Sequence, residues 1–210
     1  MKRLLSLTTE TLVNAYRNGI FPMAVDEGGT IGWFSPDPRA IIPLDDGFHI
    51  PHGLKRTLKR NLFEITVNKA FPAVIRACAT THGESWISKE IIRAYTALHK
   101  IGRAHSVEAW SEGELAGGLY GVHLGGAFFG ESMFHHVTDA SKVALVALVE
   151  RLRARGFTLL DTQWTTPHLI RFGACEISKA RYLKLLKHAV ERDCRFEDPG
   201  GESKGLRARP

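Results

Sequence analysis

Cysteine is scarce in this 210-residue chain: Cys78, Cys175 and Cys194 form no Cys-x-x-Cys pair, and an odd count closes no complete disulfide framework. A reducing compartment, the cytoplasm, is therefore expected. Long apolar runs are missing too. Nothing approaches the roughly 20 apolar residues of a membrane span, and the run after Lys2 and Arg3 stops at Leu4-Leu5, too short for a signal-peptide core. No membrane partner is expected. The chain also lacks a P-loop, a Gly-x-Gly-x-x-Gly turn opening a helix and a Gly-x-Ser-x-Gly elbow. His135 and His136 would leave opposite faces of a strand, and His99 and His105 lack the helical spacing of a ligand pair, so no metal site is expected.

What is present is a globular composition, 44% hydrophobic and 24% charged, enough to bury a core and to exclude wholesale disorder. Lys+Arg 28 against Asp+Glu 22 gives a net charge of +6, which favours polyanionic partners once the charge is located. One dense basic stripe occurs in the body of the chain. From Pro51, Leu54 and Leu58 fall on one helix face while Lys55, Arg56, Lys59 and Arg60 fall on its neighbour.

Residues 19–53 hold Pro22, Pro36, Pro38, Pro43 and Pro51 and the Gly28-Gly29 pair, and predict a packed irregular segment. Beyond it, a strand is predicted over Phe63–Val67, a helix from Phe71 to Ala79, and a helix capped by Ser88. Three strands joined by glycine-bearing turns follow, at His105–Trp110, Glu114–Val122 and Gly126–Glu131. Thr138 or Asp139 caps an apolar helix over Val143–Leu152, which delivers the chain into the buried strand Phe157–Asp161. The last helix is predicted at Ser178–Glu191. This order resembles the core of the GCN5-related N-acetyltransferase fold, an α/β (α+β) class. The expected division is a small N-terminal region at 1–60, the acetyltransferase-like catalytic core at 61–193 and a mobile charged tail at 194–210.

An acetyl-CoA enzyme needs backbone donors for pyrophosphate just before the central helix. Here His136-Val137-Thr138-Asp139 places an acid there. Polar residues at strand ends are the other candidates for chemistry: Glu131, and Asp161 with Gln163. Two apart on a strand, Asp161 and Gln163 leave one face, so the carboxylate could orient the Gln amide, or the two form an ordinary satisfied pair. Leu119, Phe128 and Met133 could wall an apolar pocket or be plain core.

Seven motifs decide between these alternatives: Gly19-Ile20-Phe21-Pro22, Trp33-Phe34-Ser35-Pro36-Asp37-Pro38-Arg39, Glu84-Ser85-Trp86-Ile87, Ala104-His105-Ser106-Val107-Glu108, Gly117-Gly118-Leu119-Tyr120-Gly121, Gly130-Glu131-Ser132-Met133-Phe134 and Gly173-Ala174-Cys175-Glu176-Ile177. In this order, from about residue 14 to 188, they resemble the bacterial leucyl/phenylalanyl-tRNA–protein transferases. The resemblance implies transfer of Leu or Phe, less readily Met, from aminoacyl-tRNA to proteins beginning with Arg or Lys, which marks them for N-end-rule degradation. It implies Leu-tRNA and Phe-tRNA as co-substrates, no cofactor, and a monomer in the cytoplasm. By the same resemblance Asp161 and Gln163 are catalytic, Asp161 polarising a Gln163 amide that orients the attacking amine; Glu131 lies near the acceptor, with Asp161 sharing its attraction for a cation. Leu119, Phe128 and Met133 would receive the Leu or Phe side chain, Trp86 would stack on the terminal adenine, and Lys55, Arg56, Lys59 and Arg60 would meet the acceptor stem. Three departures stand out: the segment before the first helix is short, Met23 occupies a position where the family often has Trp, removing a flat stacking face, and the stretch after Gln163, Trp164-Thr165-Thr166-Pro167-His168, differs from the family pattern. The rival readings are an acyl-CoA-dependent N-acetyltransferase and a non-catalytic tRNA-binding protein.

Overall fold

In a computed structural model, which describes residues 7–26, 28–81 and 86–198, the chain forms a sheet covered by helices on both faces. Thr8 caps α1 (Thr9–Arg17) by accepting from Thr11 N, and the strands β1 (Phe21–Ala24) and β2 (Ile31–Phe34) pair as a separate hairpin. Pro22 is tolerated within β1 because a two-stranded sheet needs few donors. β3 (Arg39–Ile42) leads through a loop to α2 (His52–Arg60), then come β4 (Glu64–Val67), α3 (Phe71–Thr81) and α4 (Lys89–Lys100). β5 (Ala104–Ser111), β6 (Glu114–Leu124) and β7 (Ala127–His135) form the expected antiparallel meander, followed by α5 (Ala140–Ala154), β8 (Leu159–Gln163), α6 (Pro167–Ile170), β9 (Cys175–Ile177) and α7 (Lys179–Val190). The large sheet runs β4-β5-β6-β7-β8-β3-β9, with β7 and β8 its parallel pair. A meander, a central helix and a parallel strand give the acetyltransferase-like α/β arrangement.

Two cores result. On one face α1, α3, α4 and α7 bury Tyr16, Phe71, Tyr95 and Tyr182 against Tyr120 and Phe129; on the other α2 and α5 bury Leu54, Leu58 and most of α5 against Leu119, Phe128 and Leu160. The apolar helix that the sequence predicts is thus α5, buried on nearly every side.

Three features differ from expectation. The segment 19–53 holds three strands, and β3 inserts antiparallel between β8 and β9, so the first 60 residues share the main sheet. Prolines on either side of short strands hide them from a periodicity reading. The charged stretch after Cys194 is packed through residue 198: Phe196 is buried and stacks on His105 and Phe128, Arg151 Nε donates to the Phe196 carbonyl at 2.7 Å, and Asp198 pairs with Arg151 and Arg155. One aromatic anchor is enough to seat a segment that has no repeating pattern. Asp139 does sit at the cap of α5, but in the left-handed region (φ 70°) and without a side-chain cap bond; its carboxylate accepts from Lys142 Nζ at 2.6 Å and Thr57 Oγ1 at 3.0 Å.

Candidate active site at the splay of two parallel strands

β7 and β8 pair only from Ala127–Leu159 to Phe129–Asp161. Beyond that they diverge, and a cavity of about 610 Å³ opens in the wedge, with Gly130 to Met133 on one wall and Thr162 to Trp164 on the other. It reaches both cores. Phe21 and Tyr120 belong to the tyrosine-rich face; Leu119, Leu145, Leu148 and Leu160 belong to the leucine-rich face.

A β-bulge sorts the side chains between these ends. Tyr120 pairs with Ser132 while Gly121 pairs with Gly130, leaving Glu131 as the extra residue. In a regular strand Glu131 and Met133, two apart, would share a face. With the bulge Met133 lies opposite Leu119 on the leucine side while Glu131 turns to the tyrosines. Gly121 permits this approach: a Cβ there would lie 2.3 Å from the Phe129 carbonyl oxygen. Gly117 of the same motif lets α5 approach, since its Cβ would lie 2.7 Å from that of Ala140.

Glu131 is hydrogen-bonded to Tyr16 Oη (2.7 Å) and Tyr95 Oη (3.2 Å), and the two hydroxyls also bond to each other; two phenol protons cannot supply three bonds, so the third proton is that of the carboxyl itself. Burial pushes the Glu131 carboxyl up to about 8, further raised by the nearby Asp161 and opposed by the tyrosine hydroxyls and Arg39. Burial likewise raises Tyr16, Tyr95 and Tyr120, so these phenols stay neutral donors. A cation brought to this end would favour loss of the Glu131 proton and pair with a carboxylate that has no fixed counter-ion in direct contact.

Asp161 is different. It is fully buried and takes both oxygens into a bidentate pair with Arg39, Nε–Oδ1 2.9 Å and Nη2–Oδ2 2.7 Å, plus a 2.6 Å bond from Tyr182 Oη. Arg39 is itself buried between the rings of Phe21 and Tyr182, donates to the Gly19 carbonyl, and is held above its ordinary pKa by Asp161 despite burial. The remaining bond of Asp161 is to the backbone: Gln163 N donates to Oδ1 at 2.9 Å. The expectation that Asp161 polarises the Gln163 amide is therefore corrected, as is its sharing in cation attraction. Its oxygens are occupied by Arg39, Tyr182 and a main-chain N–H.

That main-chain bond holds an unusual conformation. Gln163 has φ 62°, and Trp164 N donates to the Thr162 carbonyl at 2.7 Å, a three-residue γ-turn with Gln163 at its apex. A non-glycine residue at positive φ stores strain of order 1–3 kcal/mol that its surroundings must offset; here Asp161 does so. The turn brings both Thr162 and Gln163 to the cavity wall, and Gln163 Nε2 is buried there with no hydrogen-bond partner. Arg39, Tyr16, Tyr95 and Tyr182 complete this network from four elements. Arg39 stands inside a motif already noted, but sequence order gives no sign that it meets Asp161, 122 positions away.

Leu119 and Met133 line the leucine end as expected, with Leu145, Leu148, Leu160 and Leu169. Phe128 does not. It lies where β7 and β8 are still paired, is fully buried and stacks on Phe196 at 5.2 Å. At the opposite rim stand Trp86, Met23 and Phe21 together with Trp164, an exposed indole packed edge-on against Phe21 at 5.2 Å. Trp164 offers an exposed flat face beside Phe21 and Phe34. Glu84 and Ser85 of the Trp86 motif lie outside the described residues.

Lys55, Arg56, Lys59 and Arg60 are exposed on α2, whose Leu54 and Leu58 are buried. The bond from Thr57 to Asp139, a cavity residue, places this basic helix beside the cavity mouth. His105 and His123 instead pair in the core, Nε2 to Nδ1 2.9 Å, and burial pushes His123 down to about 4. Glu108, also in a motif, is buried and accepts from Thr66, Ser106 and Ala70 N, tying β4 and β5 to α3. Among the described residues no three His, Cys, Asp or Glu side chains converge to hold a metal, and no helix is long and apolar enough to cross a membrane.

The leucyl/phenylalanyl-tRNA protein transferase family model matches residues 41–187, and that family's N-terminal domain model matches 6–37. The chain is 60% identical to the leucyl/phenylalanyl-tRNA–protein transferase of Akkermansia muciniphila over 88% of this chain and 97% of the other. It is 56% identical to that of Salinibacter ruber over 88% and 81%. Among solved structures it is similar to L-PGS of Bacillus licheniformis (TM-score 0.41, 16% identity, 77% of this chain and 55% of that one). It is also similar to a ribosomal-protein-alanine N-acetyltransferase of Brucella melitensis (TM-score 0.36, 16% identity, 53% and 84%). With its motifs in order and most of its length matched, the chain belongs to the leucyl/phenylalanyl-tRNA protein transferase family.

Proposed function

We propose that the protein moves leucine or phenylalanine, and less readily methionine, from aminoacyl-tRNA to the α-amine of proteins that begin with Arg or Lys, marking them for degradation in the cytoplasm. The observation that carries this reading is the cavity through the sheet, with an enclosed carboxylate at one end, a leucine-lined pocket at the other and an unpaired amide between them. The Leu or Phe side chain enters between Leu119, Met133, Leu145 and Leu148. Its ester carbonyl then lies in the wedge beside Gln163. The acceptor's cationic side chain is drawn to Glu131 from the tyrosine side, so amine and carbonyl meet across the splay.

The chemistry asks little of the protein. A C–N bond forms, the bond from carbonyl carbon to the ribose 3′ oxygen breaks, the amine loses a proton and that oxygen gains one. An α-amine with a reference pKa near 7.7–8.0 is partly neutral at pH 7, and orientation alone can supply roughly 7–11 kcal/mol of the barrier. Gln163 is a poor base but a good orienting group, and the turn held by Asp161 and Arg39 fixes where its amide points. Trp86 and Trp164 supply indole faces at the rim for the terminal base, each worth roughly 1–3 kcal/mol. Lys55, Arg56, Lys59 and Arg60 neutralise acceptor-stem phosphates without reading sequence.

The acetyltransferase reading is weakened at α5. Asp139 holds its carboxylate at the cap where a pyrophosphate would dock, already engaged by Lys142 and Thr57. The test mixes the protein with radiolabelled Leu-tRNA and a peptide beginning with Arg, without ATP or acetyl-CoA. Label moves into that peptide and not into one with an acetylated N-terminus; salt-sensitive tRNA binding with no transfer would make the protein a binding module.

A further inference from the structure

Four buried polar side-chain atoms lack a hydrogen-bond partner among the described residues: Tyr120 Oη, Thr162 Oγ1, Gln163 Nε2 and His168 Nε2. All four residues line the same cavity, and three of them fall between Thr162 and His168, on the connection from β8 to α6. Proteins rarely leave such atoms unpaired, because burying a polar group away from both water and a partner is costly. Gln163 has a task in the reaction above. Thr162 and His168 have none.

Both are fixed in place before any ligand arrives. The γ-turn at Gln163 presents Thr162, and the carbonyl of Thr162 is occupied by Trp164 N. The imidazole of His168 is braced against Phe172 at 5.4 Å, on a turn whose start is capped by Thr166 Oγ1 accepting from Leu169 N at 3.2 Å. The charged and titratable groups facing His168 are Lys142, His135, Arg171 and Asp139. Burial, then Lys142 and His135, hold its imidazole below the ordinary value, so it is a neutral ring offering one donor and one acceptor.

This setting selects the ligand's chemistry. An ammonium is disfavoured beside Lys142 and Arg171. A phosphate would need a free cation in the cavity wall; Arg171 is exposed and does not line the cavity, and Lys142 is already held by Asp139 at 2.6 Å. A neutral hydroxyl, which both donates and accepts, matches the chemistry of Thr162 Oγ1 and His168 Nε2, each unpartnered in the cavity, without either penalty. We propose that Thr162 and His168 bind the terminal ribose of the aminoacyl-tRNA through its 2′-hydroxyl, adjacent to the esterified 3′ oxygen. This rests on the transferase reading and adds to it the residues that set the ribose against Gln163.

The test compares, for each protein, kcat/KM with Leu-tRNA ending in adenosine and in 2′-deoxyadenosine; the ratio is insensitive to the fraction of protein that is folded. The wild type prefers the ribose by about 3- to 10-fold, the range one hydrogen bond supplies. In His168→Ala and Thr162→Val the preference shrinks to less than about twofold, and His168→Gln, with an amide near the position of Nε2, restores part of it. An unchanged ratio in both Ala and Val variants, or no preference in the wild type, overturns the assignment. The same ratio is read by equilibrium binding of the two tRNAs. If no protein transfers leucine, the transferase reading fails, yet ribose-dependent binding that is lost in His168→Ala still upholds this contact, and its absence ends it.

Discussion

The two ends of the cavity carry opposite solutions to burial. At the tyrosine end a carboxyl is enclosed without a counter-ion in contact, bonded to two neutral phenols, and Glu131 titrates near 8. A short distance away Asp161 is fully buried, but Arg39 answers it with two parallel bonds and Tyr182 with a third. The difference separates framework from binding group. A carboxylate already matched by a fixed guanidinium has nothing left for a substrate and serves to hold the backbone; a carboxyl held neutral among hydroxyls can still ionise when a substrate cation arrives. The leucine end offers no polar competition, and a substrate side chain there is sorted by shape.

The sharpest way to break this contrast is Asp161→Ala. It leaves Arg39 buried and unpaired, so unfolding free energy falls by about 3–5 kcal/mol, transfer is abolished, and chemical denaturation followed by the labelled-peptide assay reports both. Gln163→Gly sharpens it from the other side. Glycine adopts φ 62° without strain, so the melting temperature stays level or rises while single-turnover transfer drops by about 10²-fold, the scale of losing one oriented amide at a reacting centre.

Glu131→Gln separates the two carboxylates by pH. The folded pKa of Glu131, about 8, lies above its ordinary value of 4.5. The unfolded chain therefore releases this proton first, and the group's contribution lowers stability as pH rises from about 4.5 to about 8. The variant removes that slope, so its melting temperature exceeds the wild type's most at pH 8 and least near pH 4, measurable by calorimetry across pH. At the leucine end, Leu148→Trp fills space that a larger side chain needs, and Phe-tRNA loses about 10-fold or more relative to Leu-tRNA, within the 1–3 kcal/mol that apolar shape discrimination supplies. Smallest at low salt is the effect of changing Lys55, Arg56, Lys59 and Arg60 to Ala: Leu-tRNA and Phe-tRNA weaken equally, and the slope of log affinity against log salt becomes shallower by up to about 3 to 4, at about 0.7–0.9 for each phosphate no longer neutralised.

Long periodic elements are legible in the sequence. The meander, α5 and the basic helix α2 follow from glycine-marked turns, an apolar run and a leucine pair four apart, and all lie within a few residues of their predicted positions. The site is legible only as residue types at strand ends, because what organises it is tertiary. No local pattern shows that Glu131 is the extra residue of a bulge, so its separation from Met133 is hidden, and residue type alone groups Phe128 with a pocket from which the β7–β8 pairing excludes it. Arg39 and Tyr182 reach Asp161 from distant elements, and a strand as short as β3 among prolines carries no periodicity by which to find it. Trp164 and His168 fall in a turn and a helix of four residues, where residue type alone does not say which side faces the cavity.

The central claim is that the acceptor's cationic side chain and the donor's Leu or Phe side chain are recognised at opposite ends of the cavity. Its most direct test is kcat/KM for wild type and Glu131→Gln across Arg- and Ala-initiated peptides, each with Leu-tRNA and Phe-tRNA. The account predicts that the variant loses its preference for Arg over Ala while the Leu-to-Phe ratio stays within about twofold of wild type. An Arg preference that survives the substitution, or a Leu-to-Phe ratio that moves with it, would contradict the separation of the two ends.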